Sequence, residues 1–141
     1  MRYLVPGMLV AFVLASVLAE GCARAAPHSD NEVVWGTFYK VVKQSALPER
    51  EEILRWWGTE LALAEVKYLK KEDTYEIYFP TMDHQGVEIW GIDMKTSKIW
   101  PINFGAVSDA ILLFCQDRQD QRLHCRQWFG QLDATIRSLG E

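Results

Sequence analysis

The chain has 141 residues, with 15 Lys and Arg against 19 Asp and Glu, a net charge of −4 and 49% hydrophobic residues. That length suits one domain with a modest core. No basic cluster exceeds Lys70-Lys71, so the concentrated Lys and Arg of a nucleic-acid surface are missing, and so is a polybasic membrane patch.

Arg2 leads into an apolar run from Leu4 to Ala19, broken only by Ser16. A spanning helix needs about 20 apolar residues, so this run is short for an anchor and fits the apolar region of a secretory signal. Ala23-Arg24-Ala25 places small residues where the general signal peptidase reads them. The expected signal peptide is therefore residues 1–25, and the mature chain 26–141 has no membrane span. Ala19-Glu20-Gly21-Cys22 offers an alternative cut with a lipid anchor on Cys22, although Glu20 puts a charge where a small neutral residue is usual. An uncleaved anchor is the third reading. Removing residues 1–25 leaves 13 basic and 18 acidic residues and two cysteines. Cys115 and Cys125 then form an even pair, and the expected oxidising compartment favours a disulfide between them. The expected localisation is periplasmic or secreted, with a lipoprotein held through Cys22 as the alternative.

The elements follow in chain order. Glu32 to Gln44 carries Val34, Phe38, Val41 and Val42 near a 3.6-residue period, which predicts a helix capped by Asp30 or Asn31. Pro48 opens a second helix, with Glu49, Glu51 and Glu52 in its first turn and Gly58 as its stop. Leu61 to Leu69 fits either a helix or a strand; the strand is preferred because a meander follows. "TYEIYFPT" (Thr74–Thr81), "VEIWGIDM" (Val87–Met94) and "KIWPIN" (Lys98–Asn103) read as strands separated by polar turns. Pro101 cannot donate to a ladder, which marks the last strand as short or as an edge.

After Gly105, the spacing of Val107, Ala110, Ile111 and Phe114 predicts a helix with Ser108 able to cap it. Cys125, Trp128, Leu132, Ile136 and Leu139 predict a last helix ended by Gly140. The disulfide would pin the loop of this helical hairpin; the rival reading is a β-hairpin over Ile111–Gln116 and Leu123–Gln127. The expected fold class is α+β: N-terminal helices, a three- to four-stranded antiparallel meander and a C-terminal helical hairpin.

Motifs for chemistry are sparse. Ser108 and His124 lack a G-x-S-x-G elbow, and a capping Ser and a surface His explain both. Met82, Asp83 and His84 are adjacent in a turn and supply too few simultaneous ligands for a metal. His124 beside Cys125 is no better, without a Cys-x-x-Cys pattern. Glu51, Glu52, Glu60, Glu65, Glu76, Glu88 and Asp93 could hold a glycosidase pair, yet no spacing marks two of them as partners. Phosphate loops, dinucleotide glycines and zinc-protease helices are absent. No catalytic residue, cofactor or metal is expected.

The six tryptophans all lie beyond residue 34. Most are expected in the core, where a small domain gains burial from them. Adjacent helix positions lie about 100° apart, so Trp56 and Trp57 are hard to bury together, and this pair is the candidate partner contact. Tyr78, Trp90 and Trp100 form a candidate aromatic ligand face. "GIDMKTSKIWPI" is similar to the Asp-x-x-Thr-Gly-Lys strand–turn–strand element of exported sheet domains, PepSY-like ones among them, with Ser97 where that element has Gly. A dozen residues assign no family. The leading expectation is a non-enzymatic exported protein that binds a protein partner in the cell envelope, as inhibitors, immunity proteins and assembly or secretion accessories do. A small-molecule or glycan binder and a carboxylate-based hydrolase are the alternatives.

Overall fold

The computed structural model describes residues 28–81 and 84–140. The expected signal peptide, Cys22 and the Met82-Asp83 pair lie outside the described residues. Helix α1 (His28–Ser45) leads through a 3₁₀ turn (Pro48–Arg50) into α2 (Glu51–Leu61). Strands β1 (Glu65–Leu69), β2 (Thr74–Pro80), β3 (Val87–Asp93) and β4 (Lys98–Pro101) follow, then α3 (Phe104–Phe114) and α4 (Cys125–Leu139). The fold is α+β, with an antiparallel meander in the order β1-β2-β3-β4.

Side chains alternate across a strand, and the register fixes two faces. Ile77 pairs with Trp90, and Tyr75 with Ile92. These positions, with Phe79, point to the core, where they meet Val34, Phe38 and Val42 of α1, Leu54, Trp57 and Leu61 of α2, and Ala110, Leu113 and Phe114 of α3. The helices therefore cover one face of the sheet. The other face carries Glu76, Tyr78, Ile89, Gly91 and Trp100, none of which joins that core.

Several boundaries differ from the sequence reading, each for a local reason. Asp30 and Asn31 lie inside the first turn of α1, so neither caps it. Gly58 does not stop α2, which runs on to Leu61. Its missing side chain instead admits Tyr39 of α1: a Cβ there would sit 2.9 Å from the phenol oxygen. The Tyr39 hydroxyl donates to the Leu54 carbonyl at 2.5 Å, locking the two helices together. The strand expected from Leu61 starts at Glu65, after a turn at Ala62-Leu63.

β4 ends at Pro101 and lies at the sheet edge, as its proline requires. Asn103, not Ser108, caps α3. Its Oδ1 accepts from Ala106 N and from Ile89 N, both at 3.1 Å, and its Nδ2 donates to the Val87 carbonyl at 2.6 Å. One side chain thus satisfies a helix terminus and continues the ladder of β3 where β4 has stopped.

Residues 107–127 form helix and loop rather than a β-hairpin. The Cys115–Cys125 disulfide closes that loop, with the two Cα atoms 5.7 Å apart. Closing so short a loop in the unfolded chain is worth about 3 kcal/mol. Asp120 organises the loop by accepting from the backbone of Gln116 and from the backbone and guanidinium of Arg122. Those donors, Arg122 foremost, hold its carboxyl far below the usual range.

The β1–β2 and β3–β4 turns are alike. Each places a non-glycine residue at positive φ just before the returning strand, Asp73 at 54° and Ser97 at 58°. Asp93 Oδ1 accepts from Lys95 N at 2.9 Å, and Ser97 N donates to the Asp93 carbonyl at 2.8 Å. Ser97 stands at the place where the similar strand–turn–strand element has glycine, and its φ explains that glycine. Left-handed backbone costs an L-residue about 1–2 kcal/mol, partly offset by the greater chain entropy that glycine loses on folding. Ser97→Gly is expected to stabilise the protein by about 0.5–1 kcal/mol, read as a higher urea midpoint at unchanged m-value. A lower midpoint would contradict the strain.

Candidate functional site

An aromatic cluster fills the centre of the core. Trp57 and Trp90 meet edge to face, with ring centroids 5.5 Å apart and planes at 88°. Phe38 and Phe79 pack around them, and Phe114 and Trp128 extend the cluster toward the disulfide. Each buried indole N–H needs an acceptor. Trp90 Nε1 donates to Glu88 Oε1 at 3.2 Å, and Trp57 Nε1 donates to Asp109 Oδ2 at 3.3 Å.

Glu88 and Asp109 are themselves hydrogen-bonded. Glu88 lies on the core face of β3 opposite Phe79, with 2% of its surface exposed. Burial, followed by the hydrogen bond and charge of Asp109, pushes its carboxyl up to about 10, against a weaker opposing pull from the Trp90 N–H. Glu88 is therefore a neutral acid at pH 7 that donates its proton to Asp109. Sequence reasoning placed Glu88 among the candidate carboxylates and missed Asp109. Only the packing of α3 on β3 brings the two together, and no spacing in the chain announces it. Glu88 is buried and Asp109 half-buried, and each accepts from one of the two indoles.

The folded protein keeps a proton on Glu88 that the unfolded chain releases once pH passes the ordinary value near 4.5. The resulting stability is complete below that value and is lost as pH rises toward the folded value. Between pH 5 and 9 the wild type is expected to lose up to about 1.4 kcal/mol per pH unit from this group. Glu88→Gln mimics the neutral acid and is expected to flatten that slope in urea titrations. An unchanged slope would refute the assignment.

The structure separates the residues that the sequence grouped. Trp57 is wholly buried in the core, while Trp56 beside it is half-buried. The three-residue ligand face divides as well. Trp90 points inward, whereas Tyr78 and Trp100 lie on the face opposite the core, because Trp100 pairs with Gly91 and Trp90 with Pro101. Trp90 is thus removed from that face by strand parity. His124 is exposed and lays its ring 6.0 Å from Trp128. Among the described residues, no group of three or more His, Cys, Asp or Glu is placed to hold a metal ion. Within the same residues, no helix is long and apolar enough to cross a membrane.

Two surface features remain. The first is a concave groove of about 230 Å³ where the end of β4 meets the start of α3 and the second half of α4, lined by Ile102, Phe104, Val107, Gln131 and Thr135. Ile102 and Phe104 are each 44% exposed. Farther along α4, Ile136 and Leu139 are also open to solvent. The exposed end of α4 follows from length: α4 has fifteen residues against eleven in α3. The second feature is the Trp100 ring, laid on Gly91 and lining a groove of about 480 Å³ with Asp93 and Lys98 of the sheet and with His124, Gln127 and Gln131 at and along α4. No family model, curated protein or solved structure matches this chain.

Proposed function

We infer that the chain is a small, exported, non-enzymatic binding protein that engages a protein partner in the cell envelope. The carrying observation is the exposure of the large apolar side chains Ile102 and Phe104 at a mixed polar and apolar groove, with Ile136 and Leu139 also exposed on α4. Exposed apolar side chains beside polar Asn103, Gln131 and Thr135 suit an amphipathic helix or loop of a partner. The disulfide supports an oxidising compartment, in keeping with a signal peptide over residues 1–25. The contact surface assigned to Trp56 and Trp57 moves accordingly. Trp57 belongs to the core, and Trp56 offers one partly exposed edge.

A photo-crosslinking residue in place of Phe104 or Ile136, introduced in the native host, tests this reading. The expected result is one dominant protein adduct, absent when the probe replaces exposed Lys40 on α1 and lost on adding Ile102→Glu. Adducts equally abundant at Lys40, or none at either groove position in folded protein, would contradict it.

A further inference from the structure

We propose that the sheet face opposite the core, bordered at Trp100 by His124, Gln127 and Gln131 at and along α4, is a binding platform for a neutral pyranose saccharide, with Trp100 as its stacking surface. This proposal does not depend on the partner reading.

The platform is built by register. Glu76, Gly91 and Trp100 form one row across β2, β3 and β4. An ideal Cβ on Gly91 would lie 2.1 Å from Trp100 Cε2 and 2.4 Å from both Cζ2 and Nε1. A point nearly equidistant from two bonded neighbours, and farther from them than from the atom between, sits above the ring and not at its edge. The indole therefore lies face-on over Gly91. One ring face is spent on the backbone, and the other has no ring contact among the described residues. Glycine is required here, since any side chain would occupy the place of the ring. The ring is thus held in place before any ligand arrives, which lowers the entropic cost of binding.

The groups around the ring decide the ligand. Asp93 and Lys98 pair across β3 and β4 in the neighbouring row. On the other side, the Tyr78 hydroxyl donates to Glu76, and Lys67 faces Glu76 from β1. Glu65 faces Tyr78 from β1 on the same side, so three carboxylates against two ammonium groups leave the face a net charge of −1 and nothing to attract an anion. It offers acceptors from Glu76 and Asp93, donors from Lys98 and Lys67, and one flat apolar surface. A pyranose is complementary in each respect: its axial C–H groups make an apolar face, and its rim of hydroxyls both donates and accepts. A cation would favour several rings around one centre, and here a single ring is flanked by lysines.

The test is ¹H–¹⁵N NMR of the folded chain titrated with cellotriose, chitotriose and maltotriose, each to about 20 mM, well above the millimolar range expected of a shallow site. At least one sugar is expected to give saturable shifts centred on the Trp100 indole N–H and the backbone amides of Gly91 and Lys98. Trp100→Ala should weaken binding at least about tenfold, the scale of one lost aromatic contact. Lys98→Ala, at an exposed position where folding is not at stake, should weaken it as well. No saturable shift with any of the three sugars would overturn the proposal. So would shifts centred elsewhere and indifferent to both variants. Shifts at Trp100 that grow with protein concentration alone would assign the face to a second copy of the chain, and would overturn it too.

Discussion

Two tryptophans and two carboxyl groups share the middle of this molecule. The core needs Trp57 and Trp90 for their area: with Phe38, Phe79 and Phe114 they join α1, α2, β2, β3 and α3. Each indole brings a donor that burial would otherwise leave unpaired, and an unmet buried donor costs about 1–3 kcal/mol. Glu88 and Asp109 supply the acceptors. Two carboxylates in contact cannot both ionise in such surroundings, and the proton retained by Glu88 turns repulsion into a hydrogen bond. Helix α3 is docked on β3 through that bond, and α4 is docked on α3 through Phe114, Trp128 and the disulfide.

Much of the fold was legible in the sequence because it rests on periodicity. The 3.6-residue repeat of Val34, Phe38 and Val42, the β-rich runs of the meander, and Pro101 at the edge all report local preferences. The two cysteines reported an even pair in an expected oxidising compartment. What was misread is tertiary. Gly58 resembles a stop signal in isolation, and only the approach of Tyr39 shows its use. Asn103 is one polar residue among many until the end of β4 leaves Val87 and Ile89 to be satisfied.

The candidate sites were less legible for the same reason. A ligand face of Tyr78, Trp90 and Trp100 was chosen by residue type, whereas pairing decides the face. One step of parity sends Trp90 to the core and leaves Trp100 lying over Gly91. Asp109 gave no signal, because its role exists only where α3 crosses Glu88. The groove likewise exists only where the end of β4 and the start of α3 meet α4. The core thus holds its polar chemistry between β3 and α3, and the surfaces proposed for recognition are the groove and the open sheet face.

The protonation of Glu88 is the central claim and can be observed directly. The side-chain carboxyl ¹³C shift of Glu88, followed by NMR from pH 4 to 9 in the folded protein, reports it without reference to stability. The account predicts the shift of a neutral acid, unchanged through pH 7 and still largely protonated at pH 8. A carboxylate shift at neutral pH, with a midpoint near the ordinary value of 4.5, would contradict it. Glu88 and Asp109 would then have to be held together by some other means.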